Sequence, residues 1–143
     1  GINSFVDELA FAAQKDPLQF HLDLLGEDRI IEGKSKFPFN SKRFKNVLTT
    51  TAKMANWGEK LPEGHGLGIA IHYSFYSYVA TVVEVSVIER KVKIENIWTT
   101  IDCGLALNKD NITNQLEGAA IFGMSLASSG LKVTVALTWL SAQ

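Results

Sequence analysis

The chain has 143 residues, 46% of them apolar or aromatic and 20% charged, with 14 basic against 15 acidic side chains and a net charge of −1. Those proportions exclude a chain disordered throughout. A near-neutral balance with no Lys/Arg run longer than two also lacks the field that grips phosphate backbones, so no nucleic-acid partner is expected.

The apolar stretches are broken well short of the roughly 20 residues that a bilayer crossing needs, so no membrane span is expected. Gly1-Ile2-Asn3-Ser4-Phe5 has neither a basic nor an apolar leader region, and this stretch predicts no export signal. One cysteine, Cys103, with scattered His21, His65 and His72 makes neither an internal disulfide nor a zinc set, and no metal ligand is assigned.

Ser4, three residues before Asp7 and ahead of Phe5, Leu9, Ala12 and Ala13, predicts a capped amphipathic helix to about Gln14. Asp16-Pro17 places an acceptor at an N-cap and proline at the first helical position, and Gly26 supplies a left-handed stop. A second helix over 17–25 follows, with Leu18, Leu22 and Leu25 inward. Residues 26–40 carry no sustained period and read as a surface loop. Ser41 is the expected cap of a third helix, with Phe44, Val47, Leu48, Thr51 and Ala55 on one face and an end near Trp57, before Gly58.

From Gly68 the period becomes two. Val83, Val85 and Val87 alternate with Glu84 and Ser86; after Glu89-Arg90-Lys91, Val92 and Ile94 alternate with Lys93 and Glu95. This predicts an antiparallel hairpin, extended by Ile69 to Tyr78 on one side and Ile97 to Asp102 on the other. Gly104 ends the strand, Asn108 is a cap, and Ile112, Leu116, Ala119 and Gly123 line a fourth helix to about Ala127. Leu131, Val133, Val135 and Leu137 suggest a possible strand over 131–140. The expected organisation is one domain over 1–143: a helical part at 1–58, strands at 64–103, a helix at 108–127 and that final strand. Helices, then strands, then helix and strand argue an α+β fold, an antiparallel sheet with helices packed on it in two layers.

Gly64-His65-Gly66-Leu67-Gly68 precedes a strand rather than opening a helix, so it reads as a turn and not a phosphate cradle. Cys103 could act as a nucleophile with His72 as its base, but free cysteine behaves as a small hydrophobe and a buried structural role leads. The run His72-Tyr73-Ser74-Phe75-Tyr76-Ser77-Tyr78 could stack against and hydrogen-bond a flat polar ligand, or simply be an aromatic strand. Gln115 shares a helix side with Gly118, Ala119 and Phe122, where small residues beside an amide admit a bulky ligand; an ordinary solvated glutamine is the other reading.

Five blocks in order carry a family resemblance. They are 72–80, Val83-Glu84-Val85, Ile101-Asp102-Cys103-Gly104 with Leu107-Asn108, Gln115-Leu116-Glu117-Gly118, and Phe122-Gly123-Met124. Together they resemble the molybdopterin-binding subunit of the xanthine dehydrogenase/aldehyde oxidase family. Phe5-Val6-Asp7-Glu8-Leu9-Ala10, Lys15-Asp16-Pro17-Leu18 and Asn56-Trp57-Gly58 extend the likeness over 1 to about 127.

The resemblance implies part of that family's molybdopterin-binding domain. It further implies hydroxylation of a nitrogen heterocycle such as isoquinoline, or of an aldehyde, with oxygen drawn from water. It implies a molybdenum cofactor of the molybdopterin cytosine dinucleotide type, and as partners the remaining halves of the large subunit and an iron–sulfur subunit. Gln115 and Gly118 match the family's Gln-x-Glu-Gly segment beside the pterin and are the expected cofactor contacts, while Asp102 and Asn108 match positions shaping the strand-to-helix turn.

No catalytic residue is assigned. The family's base, a glutamate in a Gly-x-Gly-Glu segment, and its glutamine-bearing Gly-His segment are not among these residues, nor is an iron–sulfur cysteine cluster. The expectation is a fragment, silent alone and with no cofactor bound alone. The alternative is an independent interaction module that pairs two copies through exposed faces.

Overall fold

A computed structural model describes residues 1–32 and 38–128. The described residues run through α1 (Ile2–Ala12), α2 (Pro17–Leu25), β1 (Ile30–Ile31), β2 (Phe39–Asn40), α3 (Ser41–Met54), β3 (His65–Ser74), β4 (Ser77–Ile88), β5 (Lys91–Asp102) and α4 (Lys109–Ser128). The possible strand over 131–140 lies outside them. The fold is α+β, as expected: three antiparallel strands in the order β3-β4-β5, a separate β1-β2 pair, and helices on the larger sheet.

Successive residues of β4 point to opposite faces, so this central strand serves two helices. Tyr78, Ala80 and Val82 are fully buried and pack with Phe44, Val47, Leu48, Ala52 and Ala55 around α3, while Leu18, Leu22 and Leu25 of α2 close the rim. Val79 turns the other way and meets Leu116, Ile101 and Ile112. Helices therefore lie on both faces of the sheet, and α4 is held there chiefly through Leu116.

Several local expectations are corrected. Ser4 does not cap α1, which begins at Ile2 with Gly1 as its N-cap. The buried residues of that helix are Val6 and Ala10, four apart, while Phe5 and Leu9 are exposed. Asn3 sets this orientation. Its amide donates to Ile71 O and accepts from Ile71 N–H, both at 3.0 Å, and so satisfies the free edge of β3.

Residues 26–40 are not wholly loop, because Ile30–Ile31 pairs with Phe39–Asn40. Asn40, not Ser41, caps α3 by accepting from Arg43 N–H at 3.2 Å. The Ser41 hydroxyl is buried and tied elsewhere, accepting from Arg29 N–H at 2.9 Å and donating to Glu27 O at 3.1 Å. The helix ends at Met54, earlier than expected, where Asn56 takes a left-handed φ of 50°.

The stretch from Ile69 to Tyr78 is not one strand. Phe75 and Tyr76, both at positive φ, turn the chain between β3 and β4, as Glu89 and Arg90 do between β4 and β5. Two-residue hairpins need this left-handed pair to match strand twist. Between β4 and β5 the register slips at Glu84/Val85, leaving Glu95 unpaired by a strand neighbour. This bulge flips the parity of β5. Val92 and Ile94 before it and Ile97 after it then face the same side, toward α4.

His21 of α2 is buried, and its Nε2 has no hydrogen-bond partner among the described residues. Burial holds its imidazole below the usual histidine range. The unfolded chain therefore binds this proton more readily than the folded one. The resulting stability is complete above about pH 6.5 and is lost as pH falls below that value. Urea midpoints at pH 7 and pH 5 should fall more for the parent than for His21→Leu. Burial of Asp7, which raises its carboxyl, is common to both proteins and cancels in that difference; equal falls would contradict the assignment.

Candidate functional site

The strand-to-helix turn that launches α4 is built from side chains on three elements. Arg43 of α3 donates through Nε to Asp102 Oδ2 at 2.8 Å and through Nη2 to Asp102 Oδ1 at 2.6 Å. The guanidinium also lies over Tyr78, 4.5 Å from its ring centroid, and over Tyr76 at 5.0 Å. These hydrogen bonds hold the Asp102 carboxyl below the usual carboxylate range, against a partial desolvation that raises it. Asp102 Oδ1 also accepts from Gly104 N–H at 3.1 Å, and Gly104 has a φ of 77°, so the chain reverses there. Asn108 then caps α4 by accepting from Asn111 N–H at 3.0 Å.

Between α3 and this turn lies a cleft of about 290 Å³, lined among others by Asn46, Thr50, Asp102, Cys103, Lys109 and Ile112. Cys103 is half-buried there, less enclosed than the buried structural cysteine expected. It has no histidine for a base. His72 is exposed on β3 opposite Val79, which in turn faces Ile101. Two strand spacings, roughly 10 Å, therefore separate the pair before side chains are considered.

The aromatic run does not form a ligand platform. Tyr73 stacks on Tyr78 at 4.7 Å inside the α3 face, Tyr78 Oη accepts from Asn40 N–H at 2.8 Å, and Phe75 projects fully into solvent. At the far end of the sheet, Glu84 joins His65 Nδ1 (2.7 Å) and the Asn96 amide (2.7 Å). The Asn96 and His65 contacts hold the Glu84 carboxyl below its usual range. Gly64, at a φ of 78°, forms the turn into β3; a Cβ there would approach Val87 O to 3.2 Å.

Gln115 and Gly118 lie outside the cleft, on the solvent side of α4. Gln115 is about 9 Å along the helix from Lys109 at 1.5 Å per residue. Its amide makes no hydrogen bond among the described residues, and a Cβ at Gly118 would meet nothing within 4 Å. Leu116 between them is buried and fixes which way they face. A donor and acceptor group beside a bare stretch of helix suits the edge and face of a flat polar heterocycle such as a pterin. The fit is that of one open wall. Among the described residues, no group of three or more His, Cys, Asp and Glu side chains is placed to hold a metal ion. No described helix is long and apolar enough to cross a membrane.

Sequence reasoning reached Asp102, Asn108, Gln115 and Gly118 but not Arg43, whose partner lies 59 residues away with no local signal to mark it.

Residues 37–130 match a family model described as a molybdopterin cofactor-binding domain. The chain is 30% identical over 129 residues to the beta subunit of isoquinoline 1-oxidoreductase from Brevundimonas diminuta, covering 87% of this chain and 15% of that protein. It is 29% identical over 137 residues to a membrane-bound aldehyde dehydrogenase (pyrroloquinoline-quinone) of Gluconacetobacter polyoxogenes, covering 88% and 17%. It is 28% identical over 138 residues to a nicotinate dehydrogenase subunit from Pseudomonas putida, covering 82% and 10%. The chain thus spans about a sixth or less of the length of these curated relatives.

Proposed function

We propose a role from one premise: the chain belongs to the molybdopterin cofactor-binding domain family. It forms one wall of the cofactor site in a larger molybdenum-dependent oxidoreductase. In that assembly the cofactor, of the molybdopterin cytosine dinucleotide type, supplies hydroxylation of a nitrogen heterocycle or an aldehyde with oxygen from water. The Gln115 amide donates to and accepts from the pterin edge, while Gly118 lets a flat group come close to the helix backbone. Leu116 on the sheet, with the Arg43–Asp102 tie at the helix start, holds that wall in position. The base that takes the proton, the remaining walls of the large subunit and an iron–sulfur partner come from polypeptide outside these residues. The chain is silent alone.

The observation that carries this reading is the exposed Gln115 amide, without a hydrogen bond among the described residues, beside the open surface at Gly118 on a helix anchored by Leu116. It is tested by assembling the chain with the remaining large-subunit polypeptide and the iron–sulfur subunit, then measuring molybdenum by elemental analysis. Gln115→Ala should leave the melting temperature of the chain within about 1 °C, since exposed substitutions change stability little. It should lower molybdenum retention in the assembly about tenfold, the scale seen when a group supporting a cofactor is removed. Unchanged retention would remove Gln115 from the wall.

A second reading, a pairing module without catalysis, is favoured by the exposure of Ile2, Phe5 and Phe11 on α1 at 83%, 59% and 86%. A tight dimer that ignores the remaining subunits in sedimentation would support it over the first.

A further inference from the structure

We infer that Tyr76, in the turn between β3 and β4, is a positioning residue: through Arg43 it fixes the start of α4, the helix that carries Gln115 and Gly118. The inference rests on the cofactor-wall reading only for what that helix does once it is placed.

The turn itself is unusual. Phe75 and Tyr76 occupy its two central positions at φ of 47° and 64°, a left-handed pair that favours Gly, Asn or Asp and is uncommon for bulky side chains. The two rings have different surroundings. Phe75 is 100% exposed, whereas Tyr76 is half-buried, with Arg43 Cζ 5.0 Å from its ring centroid. Turn geometry accounts for neither aromatic, but a ring at position 76 meets the guanidinium that joins α3 to the end of β5.

The contacts converge on Arg43. Its guanidinium lies 4.5 Å from the ring centroid of Tyr78, which pairs with Asp102 across the sheet. From there its Nε and Nη2 donate to the Asp102 carboxylate, which also accepts from Gly104 N–H. A free arginine side chain samples many rotamers, and a planar fork bonds well only when it is held in one. Rings that attract its charge restrict it to the rotamer that meets Asp102. Tyr76 also helps to keep water from a pair whose side chains are 23% and 31% exposed. Without that ring the fork loosens, Asp102 holds Gly104 less firmly, and α4 loses its fixed start while Leu116 still keeps it on the sheet.

The test measures solvent exchange of the Gly104 amide by nuclear magnetic resonance on the full chain, and molybdenum retention in the assembly. Tyr76→Asn is the better turn former, yet it should speed that exchange several-fold and lower retention several-fold. Tyr76→Phe keeps the ring and should match the parent in both. Phe75→Asn relieves the same turn without touching Arg43, and it too should match the parent. In an Arg43→Ala protein, Tyr76→Asn should add nothing, because the residue it acts through is gone.

Unchanged Gly104 exchange in Tyr76→Asn overturns the inference. So does an equal rise in Phe75→Asn or Tyr76→Phe, or an undiminished effect in the Arg43→Ala protein. Full retention by Tyr76→Asn, in an assembly that loses molybdenum with Gln115→Ala, overturns it as well. The cofactor-wall reading fails separately, on Gln115→Ala alone, and Gly104 exchange in the chain by itself would still decide whether Tyr76 places the start of α4.

Discussion

Val82→Asp is expected to leave no folded chain at neutral pH. Val82 sits at the centre of β4, fully buried, between β3 and β5 and facing α3. A carboxylate there would lie in the apolar cluster formed by Leu48, Ala52, Ile69 and Trp98. Burying it unpaired costs several kcal/mol, and the cavity left by the lost methyls adds to that. The total is comparable with the 5–15 kcal/mol that holds a typical domain together. Circular dichroism should show neither a cooperative melt nor the strand signal. Val85→Asp, three residues on, should be milder because Val85 is only half-buried and lines a groove between the β4–β5 hairpin and α4. A Val82→Asp protein melting cooperatively near the parent temperature would show that α3 does not cover this face.

Arg43→Ala is expected to cost about 2–3 kcal/mol. That lies between the value of an exposed ion pair, under about 1 kcal/mol, and the 3–5 kcal/mol for breaking a buried one. The intermediate figure follows from side chains 23% and 31% exposed and from the lost stacking on Tyr76 and Tyr78. The pair also dictates a pH dependence. With its folded pKa lowered from 3.8 by the Arg43 hydrogen bonds, Asp102 contributes stability that is complete above that value and lost as pH falls below it. Urea midpoints of parent and Arg43→Ala should therefore differ widely at pH 7 and converge toward pH 3. Arg43→Lys should recover only a minor part, because a point-like ammonium cannot reproduce the two parallel bonds of the guanidinium. Full recovery by lysine, or a gap independent of pH, would mean that the fork is not what ties α3 to the end of β5.

The elements read correctly from sequence are those whose signals are local. Asp16 accepts from Gln19 N–H at 3.0 Å, Pro17 opens α2 and Gly26 closes it, as their order along the chain demands. Phe44, Val47, Leu48, Thr51 and Ala55 are all buried along α3, since a period of three and four can serve only one face. The misreadings have physical causes too. Phe75–Tyr76 makes a hairpin turn without the Asn or Gly that usually signals one, and the aromatic run hid it. Glu95 is one residue in an otherwise regular alternation, and nothing beside it shows that pairing with β4 leaves it out. Asn40 and Ser41 are both good caps. Ser41 is drawn into the Glu27–Arg29 segment, which leaves the cap to Asn40.

Of the candidate site, Gln115 and Gly118 were legible through family likeness and helical spacing, whereas their exposure together depends on Leu116 finding Val79 and Ile101 across the sheet. Arg43 was not legible, because a bond spanning 59 residues leaves no trace in either neighbourhood.

The amino-acid order alone determined the α+β class, the position of α2, the apolar face of α3 and the family, because each rests on spacing within a few residues or on blocks kept in order. Only the tertiary structure decided which residues of β4 meet α3 and which meet α4, where β5 changes parity, and that Arg43 holds Asp102. Those outcomes are set by competition among surfaces distant in the chain, where burying one apolar face against another outweighs local preference.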